Sequence, residues 1–410
     1  MQIDKKLKEY AALLIELGVN LQHGETLAIA CPVECCDLAE EAARAAYERG
    51  AERVVMFWSS GKLSKLSYQY QSEKTLTEVP DYLVASRDFI LGKKGAYLCI
   101  ISDEPGLYEG LDAKKIAAAS RATGKALIRF RESTSKNETR WCLAAYPNPA
   151  WAKKMFPSLP EKEALEKQWE YLHKTMRMDE GDPIARWRAH QEKLVARSKI
   201  LNEKKIKSLH YVNALGTDFT VGMTDRYLFT GAVETGADGI AFTANMPTEE
   251  VFSSPDRRTA NGKLVAAMPL VRNGVVIEHF SMTFRDGRIV DFSAEKGYDT
   301  LKEIISTDEG SHYLGEIALV GYHSPIRALN TLFYSTLFDE NASCHFAIGR
   351  GFPACYRGGE KMTKEALLER GVNDSLEHVD FMVGTPDLSI TATTEDGEEF
   401  AVFRDGDWAF

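Results

Sequence analysis

The apolar positions of the first 130 residues follow two alternating periods. Leu7, Tyr10, Ala11, Leu14 and Ile15 recur at the spacing of one helix face and predict a helix over 4–17, closed by Gly18. Residues 26–30 form a short apolar run of buried-strand length, followed by a helical pattern over 37–49 that stops at Gly50. Residues 53–57 and 96–101 predict further strands, and 81–91 and 112–123 further helices. Strands separated by helices need crossover connections, which make the sheet mostly parallel. Residues 150–206 carry only helical periodicity, over 151–155, 161–176 and 183–205, and read as a connector. Beyond it the pattern changes to strands at 209–212, 219–222, 275–284 and 288–294, with Asp286-Gly287 and Asp396-Gly397 as hairpin turns. The prediction is an α/β N-terminal domain with a mostly parallel sheet over 1–206, helical connector included. An α+β C-terminal catalytic domain with mixed or antiparallel sheet follows over 207–410.

Composition narrows the function classes. The chain has 410 residues, enough for two or three domains at roughly 150 residues each. Its 50 basic and 60 acidic side chains give a formal charge of −10, a poor footprint for nucleic acid. Seven scattered cysteines form no CxxC pair, so neither a zinc ribbon nor a disulfide framework is indicated. The N-terminal helix is charged from residue 4 onward without the apolar core of a secretion signal, and no stretch reaches the ~18 apolar residues of a membrane span. A cytoplasmic protein without membrane or nucleic-acid partners is expected.

Motif chemistry removes most of the support for simple nucleotide binding and for a serine hydrolase. There is no GxxxxGK[ST] loop, no strand followed by GxGxxG, no GxSxG elbow and no HExxH helix. Acids and histidines gather instead in four segments of the second half. His378 and Asp380 stand two apart, on one face if their segment is a strand. Glu340 and His345 lie in FDENASCHFAIG, where acids flanked by Leu337, Phe338 and Phe346 need a partner, a proton or a metal if buried. Glu249 and Glu250 precede Val251 and Phe252, and Glu316 stands alone among Leu314, Ile317, Ala318 and Leu319. Carboxylate and imidazole ligands suit Zn, Co or Mn, and a bridging carboxylate permits a two-metal hydrolase. Spacing alone does not show that segments so far apart in sequence converge.

The segments KEYAALLIELGVNLQHGETLAI, AYERGA, WAKKMFP, NMPTEEVF, FDENASCHFAIG, HVDFM and FRDGDWAF, in this order, resemble the aminopeptidase T and aminopeptidase S (PepS-like) family of metal-dependent aminopeptidases. The likeness covers essentially the whole chain. It implies two divalent cations per chain held by Glu250, Glu316, Glu340, His345, His378 and Asp380, with Glu316 bridging. It also implies release of N-terminal amino acids from short peptides, and a homodimer enclosing the sites. Where that family places an active-site tyrosine this chain has Phe352, which can neither ligate nor donate a hydrogen bond. Tyr356, four residues on, is the candidate substitute, and Glu250 the candidate catalytic carboxylate beside its ligand role. Two alternatives stand against this reading. One is a weakened or non-catalytic peptide-binding homologue. The other is a mononuclear iron ring-cleaving dioxygenase built on His345, His378 and Asp380.

Overall fold

A computed structural model describes residues 2–93, 95–102, 104–272 and 275–410. The chain forms two compact units, one of Met1–Arg188 with Val233–Pro247 and one of Ala189–Ala232 with Thr248–Phe410.

The first unit holds four parallel strands, β1 (Thr26–Pro32), β2 (Arg53–Ser59), β3 (Ala96–Ile101) and β4 (Trp141–Ala145), in the order β2-β1-β3-β4. The expected alternation of strands and helices is present. Helix Gln2–Leu13 runs into a π turn at Leu14–Gly18, and helix Cys36–Glu48 and helix Asp81–Lys93 lie where the periodicity placed them. Helix Ala113–Ala126 begins one residue after Asp112, whose Oδ1 accepts the N–H groups of Lys114 and Lys115 at 2.9 and 3.2 Å. Strand β4 was not expected from the pattern, nor was helix Gly61–Tyr70, which buries no residue. A short insertion with strands β8 (Glu234–Thr235) and β9 (Ala241–Phe242) belongs to this unit. It is tied in by buried Arg140, which donates from Nε to Asp238 at 3.0 Å and pairs with Glu25, and by the Leu143 N–H bonded to Ala244 O at 2.7 Å.

The expected boundary at 206 can be set beside these units, which part at Arg188 and Ala189, within helix Pro183–Glu203. Leu194 and Leu201 of that helix are already part of the second unit's core.

The second unit is antiparallel. Its larger sheet has the order β15-β14-β11-β6-β5-β19-β20-β21. These strands are β5 (Ile206–Val212), β6 (Asp218–Gly222), β11 (Asn261–Val265), β14 (Ser281–Arg285), β15 (Arg288–Ser293), β19 (Ser389–Thr394), β20 (Glu399–Arg404) and β21 (Asp407–Trp408). Both predicted hairpin turns are there, with φ of +48° and +85° at Asp286 and Gly287 and +86° at Gly397. The single strand expected over 275–284 is instead two, β13 (Val275–Ile277) and β14, because His279 between them takes φ +49° and breaks the extended backbone. β13 pairs with β12 (Leu270–Arg272).

The smaller sheet has the order β18-β17-β16-β10-β7, from β7 (Thr230–Gly231), β10 (Val251–Ser253), β16 (Leu314–Leu319), β17 (His345–Gly349) and β18 (His378–Met382). Phe346 of β17 packs 5.0 Å from Tyr211 of β5 and 5.3 Å from Phe219 of β6, so the two sheets share one apolar core. Among the described residues no helix is long and apolar enough to cross a membrane.

Candidate metal centre

Side chains alternate across a strand, and the smaller sheet uses this alternation to sort its residues. Val251, Ile317, Leu319, Phe346, Ile348, Val379 and Phe381 belong to the shared core. The opposite face carries His378 and Asp380 of β18, His345 of β17 and Glu316 of β16. Register aligns them: Glu316 pairs with Ala347 and Ala347 with Asp380, while Ala318 pairs with His345. Phe252 pairs with Ala318, so Glu250, two residues earlier, falls on the same side. Ala318 and Ala347 keep the middle of this face shallow enough for longer side chains from the flanking positions.

Glu316 reaches this face through an irregularity. Leu314 pairs with Ile348 but Glu316 with Ala347, which makes Gly315 the extra residue of a β-bulge. Without it, Glu316 would pair with Phe346 on the core face, since a one-residue slip inverts the whole strand. A Cβ on Gly315 would lie 2.3 Å from both Arg350 O and Gly349 O. Gly315→Ala is therefore expected to destabilise the protein by about 2 kcal/mol, the middle of the range for forced overpacking. It should also cut metal uptake; a denaturant melt and metal analysis check both.

The six predicted ligands are brought together, in two overlapping groups and one neighbour. Glu250, Glu316 and His345 offer ligand atoms within 4.8 Å of one another, and so do Glu316, His378 and Asp380. His345 Nε2 is 3.3 Å from Glu250 Oε2, and His378 Nε2 is 3.1 Å from Glu316 Oε2 and 3.3 Å from Asp380 Oδ1. Glu340 lies outside both groups but close to them, and feels Asp380 and Glu250 as neighbouring charges.

The charges of the site act strongly on one another. Burial works against a charged His345, yet the carboxylates of Glu250, Glu316 and Asp380 together outweigh it and raise the imidazole to about 10. Burial likewise opposes His378, and Asp380 and Glu316 drive it well above its ordinary value. Burial raises Glu316 despite the His378 contact, and it raises Glu340 far above the carboxylate range, with Asp380 and Glu250 adding to the effect. Both imidazoles are held by the nitrogen facing away: His345 Nδ1 is 3.1 Å from Ser343 O and His378 Nδ1 is 2.7 Å from Arg350 O. A carbonyl accepts only, so each Nδ1 carries the proton and each Nε2 faces the carboxylates, the orientation of a metal-binding histidine. Glu250 Oε2 and Asp380 Oδ1 are buried without an aligned hydrogen-bond partner. Buried acids of this kind need a partner, a proton or a metal.

Three residues that support the site were not among the predicted site residues. Asn341, fully buried, accepts the Glu249 N–H at 2.7 Å and donates to Leu337 O at 3.1 Å, so it links the Glu250 segment to the Glu340 segment. His190 Nε2 lies 2.8 Å from Thr248 O and 3.6 Å from Glu249 Oε2. Asp339 is buried beside Glu340; burial pushes it up to about 7 although backbone N–H groups of 333–335 pull the other way. Asn341 and Asp339 stand beside Glu340 in the acidic segment, the one signal that could have found them; His190 has no local signal at all.

Tyr356 is not brought into this cluster. Its hydroxyl donates to Asp225 Oδ1 at 3.0 Å, and its ring packs with Leu367 and Val372. Phe352 is the aromatic residue at the site: its ring centre is 5.0 Å from that of His378, edge to face, and 5.6 Å from that of Phe252.

Residues 3–408 match the model of the thermophilic metalloprotease (M29) family. The chain belongs to this family. An M29 chain is a peptide-bond hydrolase that uses divalent metal, and the carboxylates and imidazoles described above can hold such ions. It is 41% identical over 407 residues to aminopeptidase 2 of Geobacillus stearothermophilus, covering 99% of this chain and 98% of that one. The solved structure of wild-type AmpT from Thermus thermophilus superposes with a TM-score of 0.92 at 32% identity, over 99% of both chains. A 2,5-dihydroxypyridine dioxygenase from Pseudomonas putida KT2440 shares the fold at a TM-score of 0.51 and 14% identity, over 99% of this M29 chain and 96% of its own.

Proposed function

We propose that this M29 chain is an aminopeptidase that releases N-terminal amino acids from short peptides with two divalent cations held by Glu250, Glu316, Glu340, His345, His378 and Asp380. One observation carries the reading: two imidazole–carboxylate groups on one sheet face share Glu316, the arrangement a bridging ligand needs. The donor set of oxygens and imidazole nitrogens suits Zn, Co or Mn. When bound, such ions polarise the scissile carbonyl and acidify a water toward neutrality. The chain itself contributes orientation. Ser343 O and Arg350 O fix the two imidazoles, and the Gly315 bulge turns Glu316 between them. Asn341 ties the segment that carries Glu249 and Glu250 to the turn carrying Glu340. A cytoplasmic homodimer, the form implied by the sequence resemblance, is part of the same reading.

The test begins with protein stripped by a chelator and dialysed. Titration with Zn, Co or Mn is expected to restore release of the N-terminal residue from Leu-p-nitroanilide and short peptides, and to saturate at two ions per chain by elemental analysis. Activity that survives complete stripping would end the metal mechanism. One iron per chain would favour a ring-cleaving site instead, although such a site leaves Glu250, Glu316 and Glu340 without a role.

A further inference from the structure

Glu250 is set by the backbone on either side of it. The peptide unit joining Thr248 to Glu249 is held at both edges, by the buried Asn341 and by the nearly buried His190. The Glu249 N–H donates to Asn341 Oδ1 at 2.7 Å, and Thr248 O lies 2.8 Å from His190 Nε2. A carbonyl only accepts, so this nitrogen carries a proton and donates it. Glu249 Oε2 is 3.6 Å from the same nitrogen, too far to compete for that proton. A single hydrogen bond lets a planar peptide turn about it, whereas two on opposite edges fix the plane. After Glu250 comes strand β10, whose first residue Val251 pairs with Gly231 and Leu319. Glu250 is thus bracketed by two fixed stretches of backbone.

Helix Pro183–Glu203 delivers His190 to this place. His190 precedes the buried Leu194 by four residues and the buried Leu201 by eleven, the spacing of one helix face. Gly231 of β7 lets that face come close. A Cβ there would lie 3.3 Å from both Ser198 Oγ and Glu250 O, and 3.4 Å from Leu194 Cβ. Near the end of the helix, Asn202 donates to Phe229 O and accepts the Phe229 N–H, each at 2.8 Å, one residue before β7. The helix is therefore anchored on this sheet edge without His190, and the His190 bond is left to fix the segment that carries Glu250.

We propose that His190 is a positioning residue. Through Thr248 O it holds the segment that places the Glu250 carboxylate beside His345 Nε2, and so it sets the affinity of one cation. The proposal rests on the reading of Glu250, Glu316 and His345 as ligands of one ion. Glu316 stands on β16, and His378 and Asp380 on β18, so the ion that these three would hold is spared.

Three variants test it, each stripped by a chelator and titrated with Co(II), followed by calorimetry and by visible absorption. His190→Phe keeps a ring and loses the donor. His190→Asn keeps an amide too short to reach Thr248 O, and it serves if circular dichroism shows the phenylalanine variant unfolded. His190→Gln keeps a donor near the place of Nε2. Wild-type protein is expected to take up two Co(II) ions. In His190→Phe and His190→Asn one of them should bind ~10–100-fold more weakly and the other within about twofold of wild type, the loss that follows removal of a group orienting a ligand. His190→Gln should recover most of that loss. Wild-type affinities in both donor-deficient variants would overturn the proposal, and so would equal weakening of the two ions. A lower melting temperature of the stripped protein with Co(II) binding unchanged would overturn it too, since that is the mark of a merely structural residue. Selective weakening of one ion, with no hydrolysis of Leu-p-nitroanilide by any of these proteins, would support the positioning role and sink the peptidase reading alone.

Discussion

Glu316→Ala is expected to lower peptide hydrolysis by about a thousandfold and to reduce metal content at both groups together. The reason is its position. Glu316 belongs to the set with Glu250 and His345 and to the set with His378 and Asp380. Removing it leaves each set two ligands, whereas removal of any other residue of these sets leaves one of them intact. A thousandfold loss corresponds to about 4 kcal/mol of transition-state stabilisation, a reasonable cost for removing the carboxylate that the two proposed ions would share. The metal-free variant should behave oppositely in stability. Glu316 is buried among like charges, and burial already raises its carboxyl. Its loss should leave the stripped protein at least as stable as the stripped wild type, while most of the melting-temperature gain on adding metal disappears. Elemental analysis, kinetics and paired melts with and without metal check the three expectations. A variant that retains both ions and wild-type turnover would remove Glu316 from the centre.

Phe352→Tyr is expected to raise kcat by ~10–100-fold with little change in KM, toward the lower end of what one added donor contributes to a developing negative charge. The ring already sits against His378 at 5.0 Å, and its backbone N–H is pinned by Ser254 Oγ at 2.8 Å, so a hydroxyl would be delivered from a fixed base. Tyr356 is no substitute, because its hydroxyl is engaged with Asp225. Tyr356→Phe should accordingly leave kcat within about twofold, as a group outside the centre would. Steady-state kinetics on both variants decide the matter. Unchanged kcat in Phe352→Tyr would mean that the position no longer faces the reacting atoms.

How much of this was legible beforehand depends on range. Hydrophobic period and turn chemistry are local, and they placed the parallel sheet, the antiparallel hairpin at Asp286-Gly287 and the helices around Leu7 and Leu38. They failed where a local rule lost its object. Helix Gly61–Tyr70 buries none of its residues, and His279 interrupts a run rich in strand-favouring residues. The resemblance supplied the six site residues, and strand alternation made sense of one pair of them, His378 and Asp380. Nothing local marked His190, because its contact with the 248–250 segment spans 58 positions of chain.

The sequence by itself determined the architecture of each half and the donor types available for metal. These follow from side-chain period and from chemistry carried residue by residue. Tertiary structure decided the rest: that Gly315 bulges so Glu316 leaves the core side, that both imidazoles turn Nε2 inward, and that the hydroxyl of Tyr356 faces away. Those outcomes depend on strand register and on hydrogen-bond partners distant along the chain, which only the folded backbone brings into contact.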